Sequence, residues 1–513
     1  MNQVSGHIFG SESWRNWKVD SKNCIPLPGE YCVYLTDKEG MLAGAVRDPL
    51  GLKPVYYTDS GNMFHTLKAA VHSTAQLTIN WDYIYSLWAE NFELHNSSPY
   101  NQIHRLPPGH VLFKSHGKWQ TRAYFKEIAA ENAQFKELFM SVIKDRAQTS
   151  PPFSVFLSGG FDSSLILAAL KEQNFSPSFL SIEFSSGTAS EQVGMQALRS
   201  RYNWQTVTLE GDNLSPQEFE WNPNNFGFYT PSLNLFKPLL RCTQSLGFKM
   251  VWTGIGADEV FSRSGSLLST LLRHGEIQEF YKTWKGQKQC GIHSDSLLYA
   301  IAREFMPFSL RSALNRRLKI QTDIDLPKVQ HFAQLRRSQR LLKLRQNSTQ
   351  NELKERVFQS GITSFSTEQE QELAAEYGIE FSYPFYDLRL IAASLHLDHH
   401  EFFKNGLDKT NLRNSFADLL PIEISSFQSQ QGYDDWSVYQ WLYWEPKIKQ
   451  WAQLQVSALE QSVIPLADFY KPWTYDFIVK NQNRLAKLVY AVRWLNTKEV
   501  ENGKEKALRE AQT

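Results

Sequence analysis

The segment Leu157-Ser-Gly-Gly-Phe-Asp-Ser-Ser164 constrains this chain more than any other eight residues in it. An apolar run, Phe153-Ser-Val-Phe-Leu157, precedes it, and an apolar helical stretch from Ser163 to Lys171 follows. The segment therefore reads as the turn between a buried strand and a helix, the place where open α/β sheets bind ligands. Two glycines let the backbone approach an anion closely. Serine hydroxyls and helix N-terminal amides can then donate hydrogen bonds to phosphate oxygens. Asp162 alone would repel a phosphate, so a bridging divalent cation completes the picture. The plainer alternative is a Gly-Gly turn with a Ser/Asp cap, but so many fixed residues at one strand–helix junction favour phosphate. Neither Gly-x-x-x-x-Gly-Lys-Ser/Thr nor a dinucleotide Gly-x-Gly-x-x-Gly in the right context occurs.

The flanking pattern predicts the fold class. After the first strand come Ser178–Phe184, Thr206–Leu209 and Phe248–Thr253 as strands, with a helix at Ser190–Tyr202. Such alternation predicts an α/β domain, a parallel sheet covered by helices on both faces. From Ser266 onward the chain reads as mostly helical, including Thr367–Tyr377, Leu388–His396 and a Trp/Tyr-rich tail from Trp436. The first 125 residues read instead as β-rich. Strands are expected at Gly29–Thr36, Met41–Val46 and Val111–Lys114, with a hairpin joining Val55–Tyr57 to Met63–His65 and a helix over Trp81–Phe92 capped by Asn80. Glu127–Ala147 reads as a charged helix, and Ser150-Pro-Pro152 is the strongest boundary signal. The division adopted is 1–130 and 131–513.

Composition narrows the partners. The chain has 513 residues, 54 Lys+Arg against 53 Asp+Glu, and 42% hydrophobic residues. It can bury a large core, and its net charge of +1 gives no global attraction to nucleic acid. No run approaches the ~18–20 apolar residues that span a bilayer, and no secretory signal is visible. The four cysteines (Cys24, Cys32, Cys242, Cys290) match neither a zinc site nor a disulfide framework. A cytoplasmic protein without membrane or nucleic-acid partners is expected.

Ser-Gly-Gly-x-Asp-Ser resembles the pyrophosphate loop of the adenylating ATP pyrophosphatases. Thr253-Gly-Ile-Gly-Ala-Asp-Glu-Val-Phe261 resembles the Ser-Gly-Glu-Gly-Ser-Asp-Glu-Val-Phe segment of asparagine synthetases. Arg47-Asp-Pro-Leu-Gly-Leu-Lys-Pro-Val-Tyr-Tyr57 and Arg105-Leu-Pro-Pro-Gly-His110 are similar to segments of that superfamily's amidotransferase half. Tyr383-Pro-Phe-Tyr-Asp-Leu-Arg-Leu390 and Asp408-Lys-Thr-Asn-Leu-Arg-Asn-Ser-Phe416, followed by Leu420-Pro421, match its later blocks. The resemblance to the asparagine synthetase superfamily covers about residues 29–421. It implies a truncated N-terminal-nucleophile amidotransferase-like β-rich domain, then a Rossmann-like ATP-pyrophosphatase domain with a helical C-terminal extension. It further implies ATP and Mg2+ as cofactors. Ser158, Gly159, Gly160 and Ser163 would hold pyrophosphate. Asp162 and Asp258 would carry the metal and act in catalysis, and Leu157, Ile182, Thr253 and Gly254 would frame the nucleoside.

The departures from that superfamily define the expected reaction. Its glutaminases use an N-terminal cysteine, where this sequence has Asn2. Cys24 is internal, Cys32 falls inside a strand, and the segment before Arg47 is short, so the first domain is expected to be inactive toward glutamine. The amine would then come from a substrate. Within the superfamily this resembles the lasso-peptide macrolactam synthetases and β-lactam synthetases. The leading expectation is an ATP-dependent carbon–nitrogen ligase that adenylates a carboxylate and closes a macrolactam ring on a ribosomal peptide, a step of antibiotic biosynthesis. A precursor-processing peptidase would be a further partner. Two alternatives stay open: a ligase acting on a small amino-acid substrate, and a catalytically degenerate ATP-binding protein. Ile255 stands where relatives carry Tyr or Glu, and Ser429 where a catalytic lysine is usual. Lys404 and Lys409 are near in sequence, but solvation is the expected fate of both.

Three other features carry less. The basic run from Arg336 to Arg345 reads as a solvated helix face. The tryptophans of the tail read as helix packing. No carboxylate or thiol pattern supports a metal site at His396, His399 and His400, and Glu183 reads as structural.

Overall fold

The structure is a computed structural model. It describes residues 2–8, 26–92, 96–183, 189–202, 206–210, 233, 235–262, 264–289, 327–343, 349–404, 407–426, 434–453, 469–482 and 484–487. Ser429, Cys24, Cys290 and Arg345 lie outside them.

The N-terminal part is built from two antiparallel sheets. One has the order β1-β2-β3-β7-β8, with β1 Gln3–Ile8, β2 Gly29–Thr36, β3 Leu42–Arg47, β7 His110–Ser115 and β8 Lys118–Ala123. The other is β5-β4-β6, with β4 Tyr56–Thr58, β5 Met63–Phe64 and β6 Ile103–Arg105. Cys32, Ala45 and Leu112 of the first sheet share an apolar cluster with Val55 and Tyr57 on the way into and along the second. The helix Trp81–Trp88 has the expected Asn80 cap, whose side chain accepts from Tyr83 N. It stops short of Phe92 because Glu90 takes a left-handed φ of 55°.

The second part carries a five-stranded parallel sheet of order β11-β10-β9-β12-β13. Its strands are β9 Phe153–Phe156, β10 Ser178–Glu183, β11 Thr206–Glu210, β12 Met250–Trp252 and β13 Glu380–Ser382. Helices Phe161–Glu172 and Ala189–Arg201 make the first two crossovers, and Phe236–Ser245 leads into β12. The direction of strand addition reverses between β9 and β12, which pair directly, Met250 opposite Phe153 and Trp252 opposite Val155. Loops leaving the C-terminal ends of those two strands therefore open side by side. All four residues of β9 are buried, as an apolar strand covered on both faces requires. The rings of Phe153 and Trp252 stack 4.2 Å apart across the pair.

Two sequence expectations are corrected. The helix expected from Glu127 begins at Phe135. Residues 129–134 are exposed, and helix forms only where Phe135, Phe139, Val142 and Ile143 supply a buried stripe. The region after Ser266 also supplies β13, an edge strand of three residues within a stretch read as helical.

Ion pairs, most of them buried, join the two parts. Glu30 of β2 accepts from Arg146 at 2.6 Å, and both side chains are fully buried. Arg47 and Arg105 converge on Glu368 at 2.6 Å each, and Lys53 reaches Glu380 of β13 at 2.7 Å. The Arg47-Asp-Pro-Leu-Gly segment is thus a junction element.

Candidate active site

The loop after β9 is shaped by its own small residues. Gly159 takes a φ of +83°, where a side chain would be strained. A Cβ on Gly194, in the helix after β10, would lie 2.4 Å from the Gly159 carbonyl oxygen, so that helix sits directly against the loop. Ser158 N donates to Ser163 Oγ at 3.2 Å, and Gly160 N donates to Ser158 Oγ at 3.2 Å. Gly160 precedes the helix Phe161–Glu172 and has no side chain to cap it. No side-chain cap among the described residues satisfies the first-turn N–H groups, which are the usual reception for an anion.

The loop after β12 approaches just as closely. A Cβ on Gly254 would lie 2.9 Å from Ser163 N and 3.0 Å from Asp162 Cβ. Gly256, at φ +101°, passes against the Tyr386 ring and begins the turn that holds Asp258. Between the two loops lies a cavity of about 330 Å³. Leu157, Ser158, Gly160, Ser163, Ile182, Thr253 and Gly254 line it, together with Asp162 and Asp258. Of the residues expected to bind nucleotide, only Gly159 is not on the wall, and its carbonyl packs against the neighbouring helix instead. Phe156, Phe161, Leu235, Phe236 and Leu239 make the rest of the surface largely apolar, a pocket suited to a flat base with polar groups at one end. Ile255 adds to the apolar wall. The Thr253 hydroxyl is buried without a hydrogen-bond partner among the described residues.

The principal correction concerns Lys409. It is 7% exposed, not solvated, and its Nζ lies 2.7 Å from both carboxylate oxygens of Asp162 and from Asp258. Lys404, by contrast, is exposed. The Lys409 backbone adopts φ +54°, a left-handed conformation unusual for lysine. Arg413 fixes the segment by donating to the carbonyls of Asp408, Ile424 and Ser425 at 2.8–3.0 Å. Its guanidinium also lies 4.4 Å from the centre of the Phe161 ring. Sequence gave one signal of this role, the match of Asp408–Phe416 to a known block.

Electrostatics follow from this geometry. Burial pushes the Asp162 carboxyl up to about 6, against the pull of Lys409, and nearby Asp258 adds to the rise. Asp258 stands at the open lip with 71% of its side chain exposed. Partial loss of water raises it, but the Lys409 ammonium outweighs that and holds it below the ordinary range. Two carboxylates that share one ammonium are close enough to share a metal ion. An all-oxygen set with serine hydroxyls beside it suits a hard divalent cation such as Mg2+.

The remaining candidates have plainer roles. Glu183 pairs with Arg199 at 2.5 Å. Cys32 is buried and its thiol is pushed far up by burial. In the basic run Arg336 pairs with Glu90 at 2.9 Å. Trp441 and Trp473 pack with ring centres 6.2 Å apart, as expected for the tail. No helix among the described residues is long and apolar enough to cross a membrane.

Fold and site together define an α/β protein whose paired strand-end loops form a carboxylate-rimmed pocket. The asparagine synthase family model matches residues 134–471, well over half of the sequence, and the chain belongs to that family. A glutamine amidotransferase domain model matches residues 16–125. Among similar proteins, asparagine synthetase [glutamine-hydrolyzing] 3 of Arabidopsis thaliana is 24% identical over 257 residues, 46% of this chain and 40% of that protein. Asparagine synthetase [glutamine-hydrolyzing] 1 of Bacillus subtilis is 24% identical over 213 residues, 37% and 33% respectively. Amidase chyE of Penicillium rubens is 22% identical over 280 residues, 48% and 41%. The chain thus spans less than half the length of these relatives.

Proposed function

We propose that the protein is an ATP-dependent amide synthetase that forms AMP and pyrophosphate. A substrate carboxylate would attack the α-phosphate, and a substrate amine would then capture the resulting acyl-adenylate. The observation that carries this reading is the meeting of Asp162, Asp258 and Lys409 at the mouth of the pocket between β9 and β12. A carboxylate is a poor electrophile, and adenylation supplies its leaving group. Asp162 and Asp258 would hold Mg2+, which supplies charge neutralisation for the phosphates. Ser158, Ser163 and the first-turn amides would orient the same phosphates. Lys409 would keep the two aspartates together when the cation is away and offer a positive charge to pyrophosphate.

The Rossmann-like description of the second domain, and its cytoplasmic location, belong to this proposal. So does the inactivity of the first domain toward glutamine. Burial of Cys32 supports it, because a thiol kept protonated inside a strand is no nucleophile. Without ammonia from glutamine, the amine belongs to the substrate. Macrolactam closure on a ribosomal, lasso-type peptide is the leading case, with a precursor-processing peptidase as a partner. The apolar Ile255 supports a departure from the asparagine-forming reaction, since it offers no base. Exchange of labelled pyrophosphate into ATP tests the assignment. Stimulation by a precursor peptide alone supports the peptide reading, whereas stimulation by free amino acids replaces it with a small-substrate ligase. ATP binding with no exchange for any carboxylate would contradict catalysis.

A further inference from the structure

The histidines at 399 and 400 meet a carboxylate that lies 123 residues earlier in the chain. His399 Nε2 is 3.0 Å from one oxygen of Glu276, and His400 Nε2 is 2.9 Å from the other. His274 completes the group. Its ring centre is 4.9 Å from that of His399, and the ligand atoms of His274, Glu276 and His399 all lie within 4.8 Å of one another. His396, expected with this set, is exposed at the end of its helix and stands outside the cluster.

Both supporting turns are firmly built. His274 follows the helix Ser264–Arg273, and Gly275, at φ +74°, reverses the chain so that Glu276 N donates to the Leu271 carbonyl at 2.9 Å. On the other side Asp398 and Glu401 form a capping box around the short turn His399–Glu401. Asp398 also lies 3.4 Å from His399 Nδ1, leaving Nε2 directed at Glu276. A carboxylate behind one imidazole nitrogen is the arrangement that fixes a metal-binding histidine and raises its basicity. His399 itself is only 9% exposed. Beneath the cluster, Leu271, Leu272, Phe280 and Phe403 form a small separate core.

We propose that His274, Glu276 and His399 bind a transition-metal dication of the zinc type, with His400 or water as a fourth ligand. Two imidazoles and one carboxylate are a common donor set for Zn2+, and the three ligand atoms already lie within 4.8 Å of one another. The role is structural. Phe403 begins β14, Phe403–Lys404, which pairs with β15, Leu407–Asp408, and Lys409 follows at once. The metal pins the helical pair Ser264–Gln289 to the arm that delivers Lys409 to the active site. It is distinct in chemistry from the all-oxygen pair Asp162 and Asp258.

The test uses the full chain without an affinity tag, stripped by a chelator and then held in excess Mg2+. Titration with Zn2+, and with Co2+ as a spectroscopic probe, is expected to show one site per chain and a higher melting temperature. Visible absorption of the tetrahedral Co2+ type should accompany it. Glu276→Gln preserves side-chain volume and is expected to weaken Zn2+ binding at least tenfold, as is His399→Ala, while His396→Ala leaves it unchanged. Absence of Zn2+ and Co2+ binding by the wild-type chain would overturn the proposal. Equal binding by Glu276→Gln and wild type would do the same, leaving the cluster a set of ion pairs.

Discussion

Two groups of buried charges in this molecule use similar residues for different work. At the domain junction Arg47 and Arg105 close on Glu368, all three side chains at most 4% exposed. Arg47 also donates to the carbonyls of Gly51, Lys53 and Leu106 at 2.5–2.7 Å. At the pocket, Lys409 stands between two aspartates, and one of them opens to solvent. In the junction the charge is locked among protein partners that water cannot reach. At the pocket Lys409 is itself buried, but its partner Asp258 stands at an accessible lip, beside a cavity and a helix start with no side-chain cap, so another cation can share the aspartates. Burial alone therefore does not mark a functional ion pair. Access does.

The contrast is broken most severely at Asp162. Asp162→Ala should lower pyrophosphate exchange by about 1,000-fold, roughly 4 kcal/mol in the barrier, with the circular dichroism spectrum unchanged. Full exchange activity would remove Asp162 from the machinery. Glu368→Ala should do the reverse. It strands two buried guanidinium groups, and urea unfolding should show a loss of about 3–5 kcal/mol. Nucleotide affinity of the folded fraction should stay near wild type.

Lys409→Met sharpens the difference. With its ammonium gone, Asp162 and Asp258 repel each other, so the melting temperature in a chelator should fall and Mg2+ should restore it. No metal can rescue the junction variant in this way. The smallest effect is one of pH. The Asp162 carboxyl is raised from 3.8 to about 6 and is neutral below that value. Its contribution to stability is full below pH 3.8 and is lost as pH rises through about 6 in metal-free protein. Metal binding has the opposite sign, since it needs the anion. Affinity for Mg2+ should therefore drop as pH falls below about 6, measurable by titration calorimetry, and Asp162→Asn should flatten the profile.

How much of this was legible in the sequence varied with distance along the chain. The loop at 157–164 could be read because glycine, serine and aspartate types together at a strand end have few physical uses, whereas Asp258 was singled out by the resemblance of Thr253–Phe261 to an asparagine synthetase segment. β9, β10, β11 and the helix Leu388–His396 followed from hydrophobic pattern over continuous segments. What escaped was set by partners remote in sequence. Lys409 is buried because Asp162, 247 residues earlier, neutralises it. His399 has Asp398 beside it in sequence, but its second carboxylate partner, Glu276, lies 123 residues earlier. β13 is three residues long and exists because Met250–Trp252 offers it an edge. Residues 129–134 have helical composition but no apolar face to bury, and local propensity alone did not suffice.

The central claim is that Asp162 and Asp258 bind a metal together with the phosphates of a nucleotide. Calorimetric titration of magnesium pyrophosphate into wild-type, Asp162→Ala and Asp258→Ala proteins tests it directly. The account predicts saturable binding to the wild type and a loss of at least about 100-fold in each variant, about 2.7 kcal/mol. Equal affinity in all three proteins, or no binding to any, would contradict it.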